Sequence, residues 1–203
     1  MKRLPKLSVV LLLSALLIVA ALLILKRYCP LSGIAFSRER REFHRLKNRT
    51  ALPQLTDFDD QVTLTSLLHT GEDRMRWSSS RAARLEGYVV SVAAGPIELV
   101  NCYIPCNRDV HIHVALRPDA LPREQVVLET TPRMEDWAKP QGWDWSETSL
   151  QKDFVGHDCR FEGWLFFDSP HATEAENTAP GSQNNWRATT WEIHPVTKFE
   201  IIR

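Results

Sequence analysis

Residues 84–116 read as two alternating runs joined by a turn-rich, cysteine-bearing connection. In the second run Val110, Ile112, Val114 and Leu116 alternate with Asp109, His111, His113 and Ala115. That period of two predicts a half-buried strand with one apolar face and one face carrying two imidazoles. The first run sets Leu85, Val89 and Ser91 against Glu86, Tyr88, Val90 and Val92, with Gly87 where a strand bends without a side chain in the way. Strands are also expected near residue 97, over 125–131 and over 160–168 around Gly163. Residues 191–202 form the closing strand, in which Pro195 cannot donate to a ladder and so marks an edge or a bulge. Residues 146–155, opened by Ser146 with Glu147 in the first turn and ended by Gly156, predict a short helix. Residues 132–146, with Trp137, Trp143 and Trp145, read as a loop whose tryptophans cover an open end of the sheet or offer a stacking platform. Residues 169–190 read as a long polar loop, well beyond the ~4 to 6 residues of an ordinary connection.

This order predicts a mainly β fold: a curled antiparallel sheet closed into a β-barrel, with one or two short helices. It resembles the oligonucleotide/oligosaccharide-binding (OB) fold, a five-stranded Greek-key barrel, over roughly residues 84–203, most closely in GHDCRFEGWLFFD. The segments RLEGYVVSV, NRDVHIHVAL and WRATTWEIHPVTKFEI are similar to those of an uncharacterised family of bacterial membrane-anchored or exported proteins. That resemblance implies anchoring or export and an OB-like barrel, and carries no ligand or activity with it. Barrels of this type serve many tasks, so function has to be argued from a site.

Ahead of the barrel, residues 7–25 form a run of 19 without a charge, bracketed by Lys2, Arg3, Lys6, Lys26 and Arg27. As a helix it spans about 28 Å, close to a bilayer's hydrocarbon core. This predicts a single transmembrane helix, with the lipid bilayer as its partner. A cleaved signal peptide, with Gly33 and Ala35 as a weak small-x-small site, fits the length of the run less well. The short basic N-terminus, residues 1–6, favours the cytoplasm. The protein is thus expected in the cytoplasmic (inner) membrane, single-pass, with its C-terminal head outside. Arg38, Arg40, Arg41 and Arg45 enrich the other flank as well. Four cysteines fit an oxidising compartment.

Residues 26–60 form a basic juxtamembrane segment and linker. Within them, 36–49 predict a charged helix that is either attached to anionic lipid or a solvated stalk. Residues 61–83 lead into the barrel, with 62–68 a strand or a short helix, and the barrel domain takes up 84–203. A net charge of zero hides an asymmetry: residues 1–49 hold 11 Lys/Arg against two Glu, which leaves 14 Lys/Arg against 23 Asp/Glu beyond. A nucleic-acid-binding head would show the opposite sign, so nucleic acid is not expected as a partner.

The candidate chemistry sits on the strands. His111 and His113, two apart on one strand face with Asp109 beside them, have the spacing of a shared metal site. Cys102 and Cys106 lie just upstream, so zinc is the one cofactor this pattern admits, although the spacing matches no standard zinc motif. A Cys102–Cys106 disulfide around Pro105 competes for the sulfurs, and histidines on a sheet face are commonly plain packing residues. A second expectation brings Asp109, His111, Arg187, Glu192 and His194 together as a polar cluster, with His113 nearby. Against it stands the reading in which Asp109 or Glu192 merely orients a histidine and fixes strand register. No nucleophile elbow, P-loop, dinucleotide fingerprint or HExxH motif is present. The leading expectation is a membrane-tethered, non-catalytic module binding a protein partner or small ligand through the histidine face and the long loop. A metal-dependent hydrolase on His111, His113 and Asp109 is the alternative, and a nucleic-acid-binding OB domain ranks third.

Overall fold

A computed structural model of the chain describes residues 6–202. The basic N-terminus expected at 1–6 therefore lies outside the described residues up to residue 5. Helix α1 (Lys6–Tyr28) is long and apolar enough to cross a bilayer, and its described side chains from Val10 onward are almost all exposed. Helix α2 (Arg38–Lys47) starts at Ser37, whose hydroxyl accepts from the Arg40 amide at 3.1 Å. Helix α3 (Leu64–Leu68) resolves the strand-or-helix ambiguity through a reciprocal cap between Thr63 and Ser66.

Strands β1 (Ala82–Ala94), β2 (Val110–Ala115), β3 (Val126–Thr130), β4 (Asp158–Phe167) and β5 (Trp191–Ile201) close into a barrel in the order β1-β2-β3-β5-β4. All neighbouring pairs are antiparallel except β3 with β5, which meet in parallel at Leu128 and Ile193 and seal the barrel. Two short helices follow β3: α4 (Pro132–Ala138) and α5 (Glu147–Phe154). Ser146 caps α5 as its sequence predicts, accepting from the Ser149 amide.

Alternation sorts the strands into an inside and an outside. Ile112, Val114, Leu128, Leu165, Ile193 and Val196 belong to one buried apolar core, joined by Leu85, Phe161 and Leu150. Burial of that surface is the main force holding the barrel closed. Trp145 joins the core against Phe199, with ring centroids 4.8 Å apart, while Trp143 stacks on it from outside and stays 48% exposed.

Several expectations need correction. No strand forms near residue 97: β1 already ends at Ala94, the Gly95 amide bonds to Asp109 O at 2.7 Å, and Pro96 has no N–H to extend the ladder. Leu99–Asn101 form a 3-10 turn instead. The loop expected over 132–146 contains α4, because Thr131 caps it by accepting from Met134 N and Pro132 suits the first helical position. For Pro195, in cis after His194, the bulge alternative holds: the β4–β5 register shifts between Gly163 and Leu165.

The disulfide expected between Cys102 and Cys106 is absent. Cys102 pairs with Cys29, just past α1, while Cys106 is a free, exposed thiol and Cys159 a buried one. Sequence proximity misled, because Cys102 takes a left-handed backbone at the end of the 3-10 turn and the chain after α1 runs back across that turn. Gly33, itself left-handed, lets this crossing happen: a Cβ there would stand within 2.7 Å of Val100 Cα. The Ile34 amide then bonds to Leu99 O at 2.8 Å. Nor is α2 a solvated stalk. His44 and Lys47 are buried, Phe43 packs on Phe166 at 4.9 Å, and Arg49 donates to Ser79 O and Leu165 O from just beyond the helix.

Candidate functional site

The barrel wall turned away from the core carries the chemistry. His111 faces Glu129 across the β2–β3 ladder, and Glu192 and His194 flank core-facing Ile193 on β5, so all four project outward. An outward face is normally wet, but here α2, the β1–β2 connection and the β4–β5 connection cover it. The result is a closed polar chamber in which Asp109, Glu129, Asp168, Glu192 and His194 are all buried.

His194 stands at the centre. Its Nδ1 lies 3.1 Å from Glu129 Oε2 and 3.3 Å from Glu192 Oε2, and its Nε2 lies 3.8 Å from Asp109 Oδ2. Glu192 also accepts from Arg187, Nη2 to Oε1 at 2.5 Å, and Arg187 Nε bonds to Thr189 O. Asp109 accepts from Asn101 Nδ2 at 2.9 Å through Oδ1 alone. His111 Nε2 reaches Glu129 Oε1 at 3.3 Å. Lys47 enters from the end of α2, its ammonium 3.6 Å from Asp168, 3.7 Å from Glu98 and 4.0 Å from Glu129.

The charges set each other's protonation. Burial alone would drive the Lys47 ammonium towards neutrality, but Glu129, Asp168 and Glu98 hold its pKa well above the ordinary value. Burial likewise opposes the charge on His194, yet the Glu129 and Glu192 carboxylates beside its ring carry it up to about 10. Desolvation raises Asp109, Asp168 and Glu98. Glu129 is held well below the usual carboxylate range: His111, Lys47 and His194 together outweigh the burial that pushes the other way.

Even so, the chamber is incompletely satisfied. Asp109 Oδ2, Glu129 Oε2 and His194 Nε2 make no hydrogen bond, nor does Arg187 Nη1. The Glu129 oxygen is close to His194 Nδ1 but not aligned to accept from it. A buried polar atom without a partner costs about 1–3 kcal/mol, so three in one cluster are unusual in a wall that only has to be stable.

A cavity of about 270 Å³ leads from solvent to this chamber, lined by Phe43, Lys47, Glu98, Asp168, Pro170 and His171 among others. Lys47 thus stands between the opening and the inner groups.

Of the residues singled out from sequence, Asp109, His111, Arg187, Glu192 and His194 come together here. His113 does not join them: its Nδ1 pairs with Gln125 Oε1 at 3.1 Å and its ring lies beside Trp186. Cys102 is committed to Cys29, so neither it nor the exposed Cys106 completes a site with the histidines. Glu129, which reaches His111, Lys47 and His194, was missed, as were Lys47, Glu98 and Asp168. Its signal was present: an acid inside QVVLETT, an otherwise apolar strand run. Lys47 carried no such signal, being one cation among many in a basic helix.

No protein-family model matches the chain, and no curated protein matches it.

Proposed function

We propose that this protein is a membrane-tethered, non-catalytic binding module that takes a cationic ligand into the acidic chamber between the barrel wall and α2. The observation that carries this reading is the gathering of Glu98, Asp109, Glu129, Asp168 and Glu192 from separate parts of the fold around the buried cations Lys47 and Arg187, with Glu98, Asp168 and Lys47 lining a cavity open to solvent. The barrel itself supports it. Its strand order agrees with the OB-like reading, and OB barrels bind ligands on the β2–β3 face beside the β1–β2 and β4–β5 connections. Those are the wall and the two connections that bound the chamber. Helix α1 anchors the module in the cytoplasmic membrane, and the Cys29–Cys102 bond favours a head held outside the cytoplasm, where disulfides persist. The similarity of RLEGYVVSV, NRDVHIHVAL and WRATTWEIHPVTKFEI to bacterial anchored or exported proteins agrees with that setting.

The test is a thermal-unfolding screen of the full-length protein in detergent against divalent metal ions, polyamines, simple sugars and nucleotides. Cations should raise the midpoint in a concentration-dependent way, and Asp168→Asn together with Glu98→Gln should weaken the effect. Stabilisation by nucleotides or sugars alone would overturn the reading.

A further inference from the structure

We infer that the chamber holds a divalent first-row metal ion of the zinc class, bound by Asp109, Glu129 and His194. This inference rests on the cation-binding reading above and names the cation.

Three buried donor atoms in the chamber lack a partner. Asp109 Oδ2, Glu129 Oε2 and His194 Nε2 come one from each residue, and all three residues are at least 98% buried. One donor atom from each lies within 4.8 Å of the other two. Two ligands each about 2.1 Å from one ion stand at most about 4.2 Å apart, so the 3.8 Å between His194 Nε2 and Asp109 Oδ2 already fits. The widest spacing allowed among the three closes by about half an ångström, which side-chain rotation supplies.

The surroundings match what metal ligands need. Nδ1 of His194 lies 3.1 Å from Glu129 Oε2 and 3.3 Å from Glu192 Oε2, the latter carboxylate held by Arg187, and Nε2 is turned on Asp109. Asn101 fixes Asp109 through the oxygen that is already satisfied. A ligating imidazole whose other nitrogen is held by a carboxylate, and a ligating carboxylate held by an amide, are the usual supports of such sites. One imidazole and two carboxylates form a borderline-to-hard donor set without thiolate, suited to zinc or manganese more than to copper(I). Three protein ligands leave a fourth position open on such an ion, and its binding displaces the proton that His194 otherwise carries.

A second set of carboxylates, Glu129, Asp168 and Glu192, is also close enough for an ion. Lys47 already neutralises Asp168 there and Arg187 neutralises Glu192, so the charge demand is met by the chain itself. Lys47, 4.0 Å from Glu129, thereby becomes a built-in competitor: its ammonium draws on a carboxylate the metal needs.

The experiment uses the full-length protein in detergent on a Cys106→Ser background, to remove the exposed thiol as an adventitious ligand. After chelation and dialysis, zinc and manganese are titrated by calorimetry and the retained metal is counted by mass spectrometry. One equivalent per chain is expected. Asp109→Asn should lower the affinity at least tenfold, and Lys47→Met should raise it, a gain that a purely structural role for the cluster would not produce. Circular dichroism confirms that each variant is folded, and His194→Gln replaces Asp109→Asn should the latter fail to fold. No stoichiometric metal, or equal retention by the wild type and both ligand variants, overturns the inference. If spermidine stabilises the protein while zinc does not, the metal falls and the cation-binding reading stands; if neither binds, both fall.

Discussion

Lys47 is the residue on which the electrostatics of the covered wall turn. A lysine 4% exposed is rare, and it is tolerated here because three carboxylates surround it. Removing it leaves Glu98, Asp168 and Glu129 short of a counter-ion, and breaking such a buried arrangement typically costs ~3–5 kcal/mol. Lys47→Met should therefore lower the unfolding free energy by about 3 kcal/mol, read by urea titration of the metal-free protein, and added zinc should recover part of the loss. At the other extreme of reactivity are the two free thiols. Burial pushes Cys159 up to about 12, whereas Cys106 is exposed. At pH 8 the folded protein should take up one equivalent of a maleimide at Cys106. Cys159 should react only on unfolding, and prompt native labelling of both would contradict its placement.

Two coverings make the chamber, and both are elements whose sequence reads as solvent-facing. Helix α2 is polar and basic along its length, yet it is strapped to the wall by Phe43 on Phe166 and by Asn48, which donates to Leu31 O and Val100 O at 3.0 Å. The long β4–β5 connection is held by its own side chains. Glu174 accepts from Trp186 Nε1 at 2.7 Å and pairs with His171 at the same distance, and Glu176 accepts from Asn185 at 2.7 Å. The hydrogen bonds from Trp186 and His171 lower the pKa of Glu174, and those from Asn185 and Gly181 lower that of Glu176. A depressed carboxylate stabilises the folded loop fully above its ordinary value of about 4.5 and loses that contribution as pH falls through the folded value. Hydrogen-exchange protection in residues 174–187, corrected for the intrinsic pH dependence of exchange, should therefore fall below about pH 4.5 before that of the barrel strands. Glu174→Gln should flatten that dependence; protection indifferent to acid would remove these contacts from the loop's account.

At the scale of the molecule, the Cys29–Cys102 bond ties the end of α1 to the barrel across 73 residues of sequence. Arg133 reinforces the tie by donating to Cys29 O and Pro30 O, and Lys26 pairs with Asp136 at 3.4 Å. Closing a loop of that length removes about 4 kcal/mol of chain entropy from the unfolded state. Cys102→Ser should accordingly lower the melting temperature of the detergent-solubilised protein clearly, and reduction of the wild type should reproduce the shift. Equal melting with and without reductant would argue that the bond does not form. The intact chain should also stay with membranes in carbonate, as an apolar helix of this length demands.

Part of the structure is declared locally by the chain: the uncharged run that becomes α1, the alternation that becomes β1 and β2, and the cap at Ser146. Those features rest on periodicity and capping, which act within a few residues. Which cysteine meets Cys102, whether a basic helix is wet, and that Glu129 and Lys47 join a histidine more than sixty residues further along were decided only when the barrel closed. Parallel pairing of β3 with β5 and the return of α2 across the outer wall bring together side chains whose separation in sequence carries no trace of the contact. The free energy of those charges depends on the low-dielectric space they share, and that space exists only in the folded molecule.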